Sequence, residues 1–352
     1  MSNSTVWDAT KHPNRLLSGN NVLIFCLLFA ALVFVFLLNI GIGSIKISLP
    51  DVASIIIHRI RNDSVNSVIV WDIRLPRSLA AVTGGAAIAV AGLMLQTFFR
   101  NPIVDSYVLG VSSGSTLFMA LIMLGGFTLG ISTLSPFFMF FGAFLGALIV
   151  TAAILLFACK VRSAVTLLVI GLMIGYLCSA ATGLFTTFAD NEKVKGFMMW
   201  SMGSFAGFTW EQVKLLTFLG VPFLFLSLAV SKPLNAFMLG EDYAKSMGVN
   251  IKFFRIFIIF VASLLTAIVT AFAGPIAFVG MAVPHIARLT LRTSDNRFLM
   301  PATILFGGII TSLCDLVART ILAPSELTIS TVTSFFGVPI VIWLLMNRRT
   351  VL

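Results

Sequence analysis

The sequence predicts an all-α membrane protein whose chain crosses the bilayer ten times. Of its 352 residues, 59% are hydrophobic and only 10% are charged, whereas soluble domains carry about 25% charged residues. Apolar runs of about 20 residues recur along the chain, and a helix of that length spans a hydrocarbon core of roughly 30 Å. Small residues recur at four-residue spacing within these runs, which is typical of closely packed membrane helices. We therefore expect one transmembrane domain over residues 1–352.

The predicted spans follow one another along the chain. A mostly polar segment, 1–21, precedes the first span, which is too long to be the apolar part of a cleaved signal peptide. The spans are residues 22–42, 79–99, 108–125, 136–158, 164–188, 212–230, 253–272, 275–291, 300–322 and 328–346. An even number of spans places both termini on one side. More of the 23 Lys and Arg residues fall on that side, so we expect both termini to be cytoplasmic.

Three connections between spans are longer than a turn. Residues 46–77 contain the amphipathic stretch DVASIIIHRIR, expected to lie along the outer surface. Residues 191–211 carry two tryptophans and suit a short outer helix with aromatic anchors at the membrane interface. Residues 231–252 form the largest inner loop, where Gly240 and Gly248 flank a short helical stretch. Two short helices in this loop would form a platform for a soluble partner.

Enzymatic motifs are weakly represented. Residues 110–114 read GVSSG, which matches the G-x-S-x-G pattern of hydrolases, but that pattern needs a strand-turn-helix context. Here it opens an apolar helix, so a membrane hydrolase using Ser112 is an alternative that the context disfavours. The sequence has no G-x-x-x-x-G-K-[ST], and therefore no P-loop for ATP. His285 is far in sequence from His12 and His58, and we interpret it as a hydrogen-bonded packing residue instead of a metal ligand. We expect no catalytic residue and no metal site.

Charged residues within the spans are few. Asp315 and Arg319 lie four residues apart in the ninth span, a spacing that allows a local ion pair, although charge inside a membrane otherwise points to function. Glu326 follows in the outer turn. A secondary transporter driven by an ion gradient requires carboxylates near the bilayer centre, and Asp315 is the single candidate. The basic residues are scattered between apolar runs, which disfavours nucleic-acid binding.

Six motifs in a fixed order point to one family. They are IRLPR at 73–77, GAAIAVAGLMLQ at 85–96, NPIVDSYVLGVSSG at 101–114, LGEDYAKSMGV at 239–249, FVGMAVPHIARL at 278–289 and GVPIVIWLL at 337–345. With these motifs the chain resembles the FecCD/BtuC-type permeases, the membrane subunits of type II ABC importers for iron-siderophore, haem and cobalamin uptake. The resemblance extends over almost the whole chain.

The resemblance implies a ten-helix subunit in the cytoplasmic (inner) membrane of a prokaryotic cell. It implies a second permease subunit, either an identical copy or a close relative, with a central path between the two. It also implies two cytoplasmic ATPase subunits, which bind ATP, and an extracytoplasmic substrate-binding protein. The chain itself would then be no enzyme and hold no cofactor, with lipid as its surroundings and no nucleic acid as a partner.

The resemblance also assigns roles to particular residues. Arginines at the outer end would meet acidic residues of the binding protein; these are Arg74, Arg77 and Arg319. The inner loop matches the family's coupling helices, with the ATPase contact expected at Gly240, Glu241, Ala244 and Gly248. The cytoplasmic gate would lie at two inner connections, one formed by Asn101, Pro102 and Ile103 and the other by Ala164 and Val165. Relatives can carry small hydroxyl residues at the second connection, so Ala164 and Val165 depart from the family's pattern.

The sequence thus predicts an ABC importer permease for a metal chelate, with an iron-siderophore as the expected substrate and haem or cobalamin as alternatives. A secondary transporter is a less favoured alternative. Because the binding protein largely selects the ligand, the permease sequence does not specify which chelate is carried.

Overall fold

The computed structural model describes residues 19–43, 45, 47–58, 64–125, 136–161 and 163–346. Within these ranges every regular element is helical. In chain order the elements are α1 (Gly19–Gly41), α2 (Leu49–Ile57), α3 (Val65–Val68), a π-helical segment (Ile69–Arg74), α4 (Leu75–Phe99), α5 (Val111–Met123), α6 (Pro136–Lys160), α7 (Ala164–Phe188), α8 (Asn191–Ser201), α9 (Trp210–Ala229), α10 (Ser231–Leu239), α11 (Glu241–Ser246), α12 (Ile251–Ala273), α13 (Val279–Leu291), α14 (Asn296–Thr320) and α15 (Ile329–Met346). The predicted segment 1–21 lies outside the described residues apart from positions 19–21.

A helix is present at every predicted span. In the part of the chain that the structure describes, seven helices are long and apolar enough to cross a membrane: α1, α4 with the segments before it, α6, α7, α9, α12 and α14. The apolar helices α5, α13 and α15 are shorter. The all-helical membrane fold is therefore confirmed, and ten complete crossings stay a prediction.

The three long connections contain the expected short helices. The Ser48 hydroxyl caps α2 by accepting a hydrogen bond from the Asp51 N–H, which satisfies one of the free donors of the first turn. The second connection forms α8, and the third forms α10 and α11. After the second connection, the Trp210 indole N–H donates to the carbonyl of Trp71 at 2.8 Å. This bond fixes the start of α9 against the π-helical segment.

Helix α4 is the centre of the bundle, because nearly all of its side chains are buried among α1, α9, α12, α13 and α14. Its glycines touch neighbouring backbones. A Cβ on Gly92 would lie 1.9 Å from the carbonyl oxygen of Gly280, and one on Gly85 would lie 2.4 Å from that of Gly307. The predicted small-residue faces are thus real helix contacts.

The start of α5 is packed in the same way. Gly110, at φ +78°, lies against α7, and a Cβ on Gly114 would lie 2.6 Å from the carbonyl oxygen of Gly146 on α6. Ser112 is buried in the first turn of this helix. The helical start predicted for GVSSG is confirmed.

Helix α4 also separates two polar regions. Arg77 lies in its first turn and Arg100 directly follows its last residue, so a rise of 1.5 Å per residue places them about 35 Å apart. We call the end with Arg77 the arginine end. The end with Arg100 carries α10 and α11, which together we call the platform, and we name it the platform end.

Candidate functional site

At the arginine end, Arg77 binds two carboxylates. Its Nε and Nη2 donate to Asp315 Oδ1 at 3.1 and 2.9 Å, and its Nη1 donates to both oxygens of Glu326 at 3.0 Å. Arg77 and Asp315 are buried, whereas the Glu326 side chain is 38% exposed. Planar guanidinium groups suit such bidentate contacts. The ion pairs of Arg77 with Asp315 and Glu326 join the first turn of α4 to α14 and to the loop after α14.

The other two arginines are bound to α1 and to the chain that follows it. Arg74 donates to the carbonyls of Ile40 and Gly41 at 2.9 and 2.8 Å, and also to that of Ile45. Arg319 donates to the backbone carbonyl and the side-chain oxygen of Asn39. Both guanidinium groups are buried. Each therefore satisfies backbone acceptors at the C-terminal end of α1, where helix carbonyls lack internal partners.

These contacts revise one expectation. Asp315 pairs with Arg77 on another helix, so the local Asp315–Arg319 pair considered from the sequence is not the arrangement adopted. All three predicted docking arginines are buried and hydrogen-bonded inside the subunit, and their contact with a binding protein stays a prediction. The three guanidinium groups outnumber the two carboxylates, so this cluster keeps a net positive charge.

At the platform end, the turn after α4 has a defined shape. Arg100 adopts a left-handed conformation at φ +48° and ends the helix. The Asn101 side-chain oxygen accepts the Ile103 N–H at 3.1 Å, and the carbonyl of Pro102 accepts a hydrogen bond from His285 Nε2 at 2.9 Å. Such Asn turns and a proline, which lacks an N–H, both favour a chain reversal. The predicted break of the helix at this motif is confirmed.

A buried polar chain holds this turn against α13. With Nε2 donating to Pro102, His285 Nδ1 accepts from Arg288 Nη1 at 3.2 Å. Arg288 also donates to the Gln96 side-chain oxygen at 3.0 Å, and the Gln96 amide donates to the carbonyls of Gly280 and Met281. Both ring nitrogens of His285 thus form hydrogen bonds inside the subunit. Among the described residues, no group of three or more His, Cys, Asp or Glu side chains is placed to hold a metal ion.

Asp105 is a buried carboxylate in the same turn. Its Oδ1 accepts the Val108 N–H at 3.1 Å. Burial raises the pKa of its carboxyl to about 6, against the lowering effect of hydrogen bonds from the backbone of Val108 and Tyr107. Sequence reasoning passed over this residue, although the NPIVD motif contained it.

The second inner connection leads into α7. Ser163 caps this helix by accepting the Thr166 N–H. Of the two predicted gate residues, Ala164 is half-buried and Val165 is 69% exposed. Val165 therefore presents an apolar side chain at the platform end.

The platform consists of two short helices that meet at Gly240. This residue has φ +139°, and Gly248 after α11 has φ +84°. Both are backbone conformations that glycine adopts readily. Glu241, the first residue of α11, forms an ion pair with Arg255 of α12 at 2.8 Å, and its side chain is 44% exposed. Ala244 of α11 is fully buried, so its side chain faces the rest of the subunit, whereas the sequence predicted a contact with the partner there.

Comparison with known proteins shows what the chain resembles. Residues 31–347 match the FecCD transport family. The hemin transport system permease protein HmuU of Yersinia pestis is 35% identical over 292 residues, covering 82% of this chain and 87% of that protein. The vitamin B12 import system permease protein BtuC of Salmonella newport is 37% identical over 284 residues, covering 79% of this chain and 83% of that protein.

Two solved structures have similar folds. One, described as an inward-facing conformation of a metal-chelate type ABC transporter, has a TM-score of 0.82 and 31% identity over 93% of this chain and 99% of its own. The other, PsaBC from Streptococcus pneumoniae in complex with Fab, has a TM-score of 0.51 and 14% identity over 76% of this chain and 90% of its own. The second likeness bears on the fold alone.

Proposed function

The chain belongs to the FecCD transport family, and from this membership we propose that it is the permease subunit of a type II ABC importer for a metal chelate. The observation that carries the proposal is the match of residues 31–347 to that family, with a TM-score of 0.82 to a metal-chelate type transporter. The subunit is a multi-pass protein of a bacterial inner membrane and supplies a path, while ATP hydrolysis takes place in a partner.

We propose an iron-siderophore as the substrate. A family whose members import hemin and vitamin B12 handles large metal-containing ligands, and a ferric siderophore belongs to the same chemical class. One open face of α15 carries Ser330, Thr331, Ser334, Phe335, Val338 and Pro339. Such a mixture of hydroxyl and apolar groups suits weak contacts with a bulky, partly apolar ligand. Haem and cobalamin are the alternatives.

We further propose how the subunit is assembled and oriented. Two copies would pair around the path, with both termini in the cytoplasm. The exposed part of the platform would receive an ATPase subunit, with Glu241 at its edge. The arginine end would receive the binding protein. The net positive charge there supports this assignment, since complementary charge mainly accelerates and orients encounter.

Docking would then involve the arginine cluster in one of two ways. Each buried guanidinium either adds an acidic group of the binding protein to its present partners or exchanges one partner for it. Among the described residues, the Arg319 Nε–H is buried without a hydrogen-bond partner, so a spare donor exists. Complementary charge changes the rate and orientation of encounter more than the affinity, and we expect docking to depend on several such contacts.

The function is tested by reconstitution. The permease, its ATPase and its binding protein are placed in proteoliposomes, and uptake of a labelled ferric siderophore, hemin and cobalamin is measured with and without ATP. We expect ATP-dependent uptake of the ferric siderophore. Preferential uptake of hemin or cobalamin would transfer the substrate assignment to that ligand. Uptake without ATP or the ATPase would instead support an ion-gradient transporter.

The hydrolase alternative is tested with Ser112→Ala. We expect normal uptake by this variant and no ester or peptide hydrolysis by either form, because the hydroxyl is buried in a helix without the strand-turn-helix context of a hydrolase. Hydrolysis by the wild type that the variant lacks would support the alternative.

A further inference from the structure

Each of the two inner connections is attached to the platform through an arginine. The first connection begins at Arg100, and the second begins at Val161. Arg100 reaches α10, and Arg255 reaches both α11 and Val161. Sequence reasoning named neither arginine as a functional residue. The two attachments use different helices of the platform, on either side of Gly240.

The first attachment runs from Arg100 to Phe237. Arg100 Nη2 donates to the Phe237 carbonyl at 2.8 Å, and the guanidinium carbon lies 5.4 Å from the centre of the Phe237 ring. The carbonyl belongs to the last turn of α10, where it also accepts the Gly240 N–H at 3.2 Å, and the C-terminal end of a helix attracts cations. The ring itself is buried and stacks on Phe98 of α4, with centroids 5.4 Å apart. Arg100 therefore connects α10 to the turn that begins at Asn101.

The second attachment runs through Arg255 in the second turn of α12. Its Nη2 donates to Glu241 Oε1 at 2.8 Å, and its Nη1 donates to the carbonyl of Val161. The Arg255 side chain is 9% exposed and the Glu241 side chain is 44% exposed, so only the arginine side of this ion pair is shielded from water. Val161 directly follows α6 and lies three residues before α7. One guanidinium group thus connects the first residue of α11 to the connection that contains Ala164 and Val165.

We propose that Arg100 and Arg255 are positioning residues that transmit displacement of the platform to the two inner connections during transport. The inference rests on the proposed function. A movement of α10 would act on the Asn101–Ile103 turn through Arg100. A movement of α11 would act on Val161, and through it on the start of α7 at Ala164 and Val165, by way of Arg255. Because Gly240 separates the two helices, the two connections respond to different parts of the platform.

The chemistry requires arginine at position 255. A planar guanidinium can hold a carboxylate with one nitrogen and a carbonyl with another in fixed geometry, whereas a lysine ammonium is a point charge on a flexible stem. Arg255→Lys should keep the positive charge beside Glu241 and lose the simultaneous contact with Val161. Arg100→Lys should likewise lose the fixed contact with the Phe237 carbonyl and ring.

The test measures coupling, a property that a merely structural role would not change. The full importer, with its cognate ATPase and binding protein, is reconstituted with wild-type permease, Arg255→Lys, Arg100→Lys or the double variant, and ATP hydrolysed per substrate imported is measured. We expect each single variant to assemble and hydrolyse ATP while the ATP cost per substrate rises at least about threefold, and the double variant to cost more. Arg292→Lys, the same change at an exposed arginine directly after α13, is the control with unchanged cost.

A second measurement follows the connections directly. In a background without the native cysteines, spin labels at Ile103 and Val165, both exposed, report the distance between the two connections. We expect ATP to change this distance in the wild type and to change it less than half as much in the double variant. The inference would be overturned if the variants showed the same ATP cost and the same distance change as the wild type. Failure of Arg255→Lys to assemble would also overturn it. Absence of ATP-dependent uptake by the wild type would instead refute the proposed function.

Discussion

Replacing Gly92 by alanine should destabilise the centre of the bundle strongly. The added Cβ would lie 1.9 Å from the Gly280 carbonyl oxygen and 2.6 Å from its Cα. These are backbone atoms, so no side-chain rotation relieves the clash, and α4 and α13 must separate by more than about 1 Å. Such overpacking costs about 1–3 kcal/mol, occasionally more. Separation also weakens the two hydrogen bonds from the Gln96 amide, each contributing about 0.5–1.5 kcal/mol.

The expected loss is therefore about 2–6 kcal/mol in the free energy of unfolding. It can be measured by unfolding the purified permease in mixed micelles with an increasing fraction of denaturing detergent, followed by circular dichroism. Gly220→Ala is the matched control. Gly220 also lies within a membrane helix, but a Cβ there would have no atom within 4 Å. Alanine should stabilise that helix by about 0.5–1 kcal/mol relative to glycine.

The reasoning would be refuted by a Gly92→Ala variant whose unfolding free energy lies within about 1 kcal/mol of the wild type. A loss of similar size in Gly220→Ala would also contradict it, because the effect would then not arise from the contact with Gly280.

Three further predictions concern charged groups. Asp315→Ala leaves Arg77 buried with one carboxylate fewer and should cost about 3–5 kcal/mol in the same unfolding assay, whereas replacing both residues by apolar ones should recover most of this loss; equal losses in the two variants would contradict the pairing. The Asp105 carboxyl, with its pKa raised from 3.8 to about 6, holds its proton more tightly in the folded state. Its own contribution to stability should therefore be greatest below about pH 4 and fall by about 3 kcal/mol as pH rises through 6. The difference in unfolding free energy between Asp105→Asn and the wild type should change with pH by that amount, and a difference independent of pH would contradict the prediction. Glu326→Gln should change stability by less than about 1 kcal/mol, because its ion pair with Arg77 is partly exposed. The same change should accelerate association with the binding protein, since it makes the arginine end more positive. Slower association in a stopped-flow assay would count against this assignment.

The helices could be predicted from the sequence because hydropathy acts locally. A run of about 20 apolar residues in lipid satisfies its backbone polar groups as a helix, whatever the rest of the chain does. The second short helix of the platform, α11, was also predictable, since Gly240 and Gly248 flank it. The turn at Asn101-Pro102 followed from the chemistry of those two residues alone.

The partners of the charged side chains could not be predicted in this way. Asp315 has Arg319 four residues away on the same helix, yet it pairs with Arg77, 238 positions distant in sequence. Helix packing, which local periodicity does not determine, decides this choice. Ala244 was misplaced for a related reason, because a helix as short as α11 gives too little pattern to show which face is buried. Arg255 was overlooked because its two partners come from separate inner connections.

The burial of α4 has a consequence for how the protein responds to its membrane. In the apolar window of the segment Val65–Phe99, 83% of residues are buried, against 22% in the windows of α1 and of α7. A bilayer thicker or thinner than the apolar belt is accommodated by tilt or local deformation at lipid-facing helices. Since α4 is screened from lipid, hydrophobic mismatch acts on its neighbours and not on α4 itself. The spacing between the arginine end and the platform end should therefore remain constant across membranes of different lipid composition.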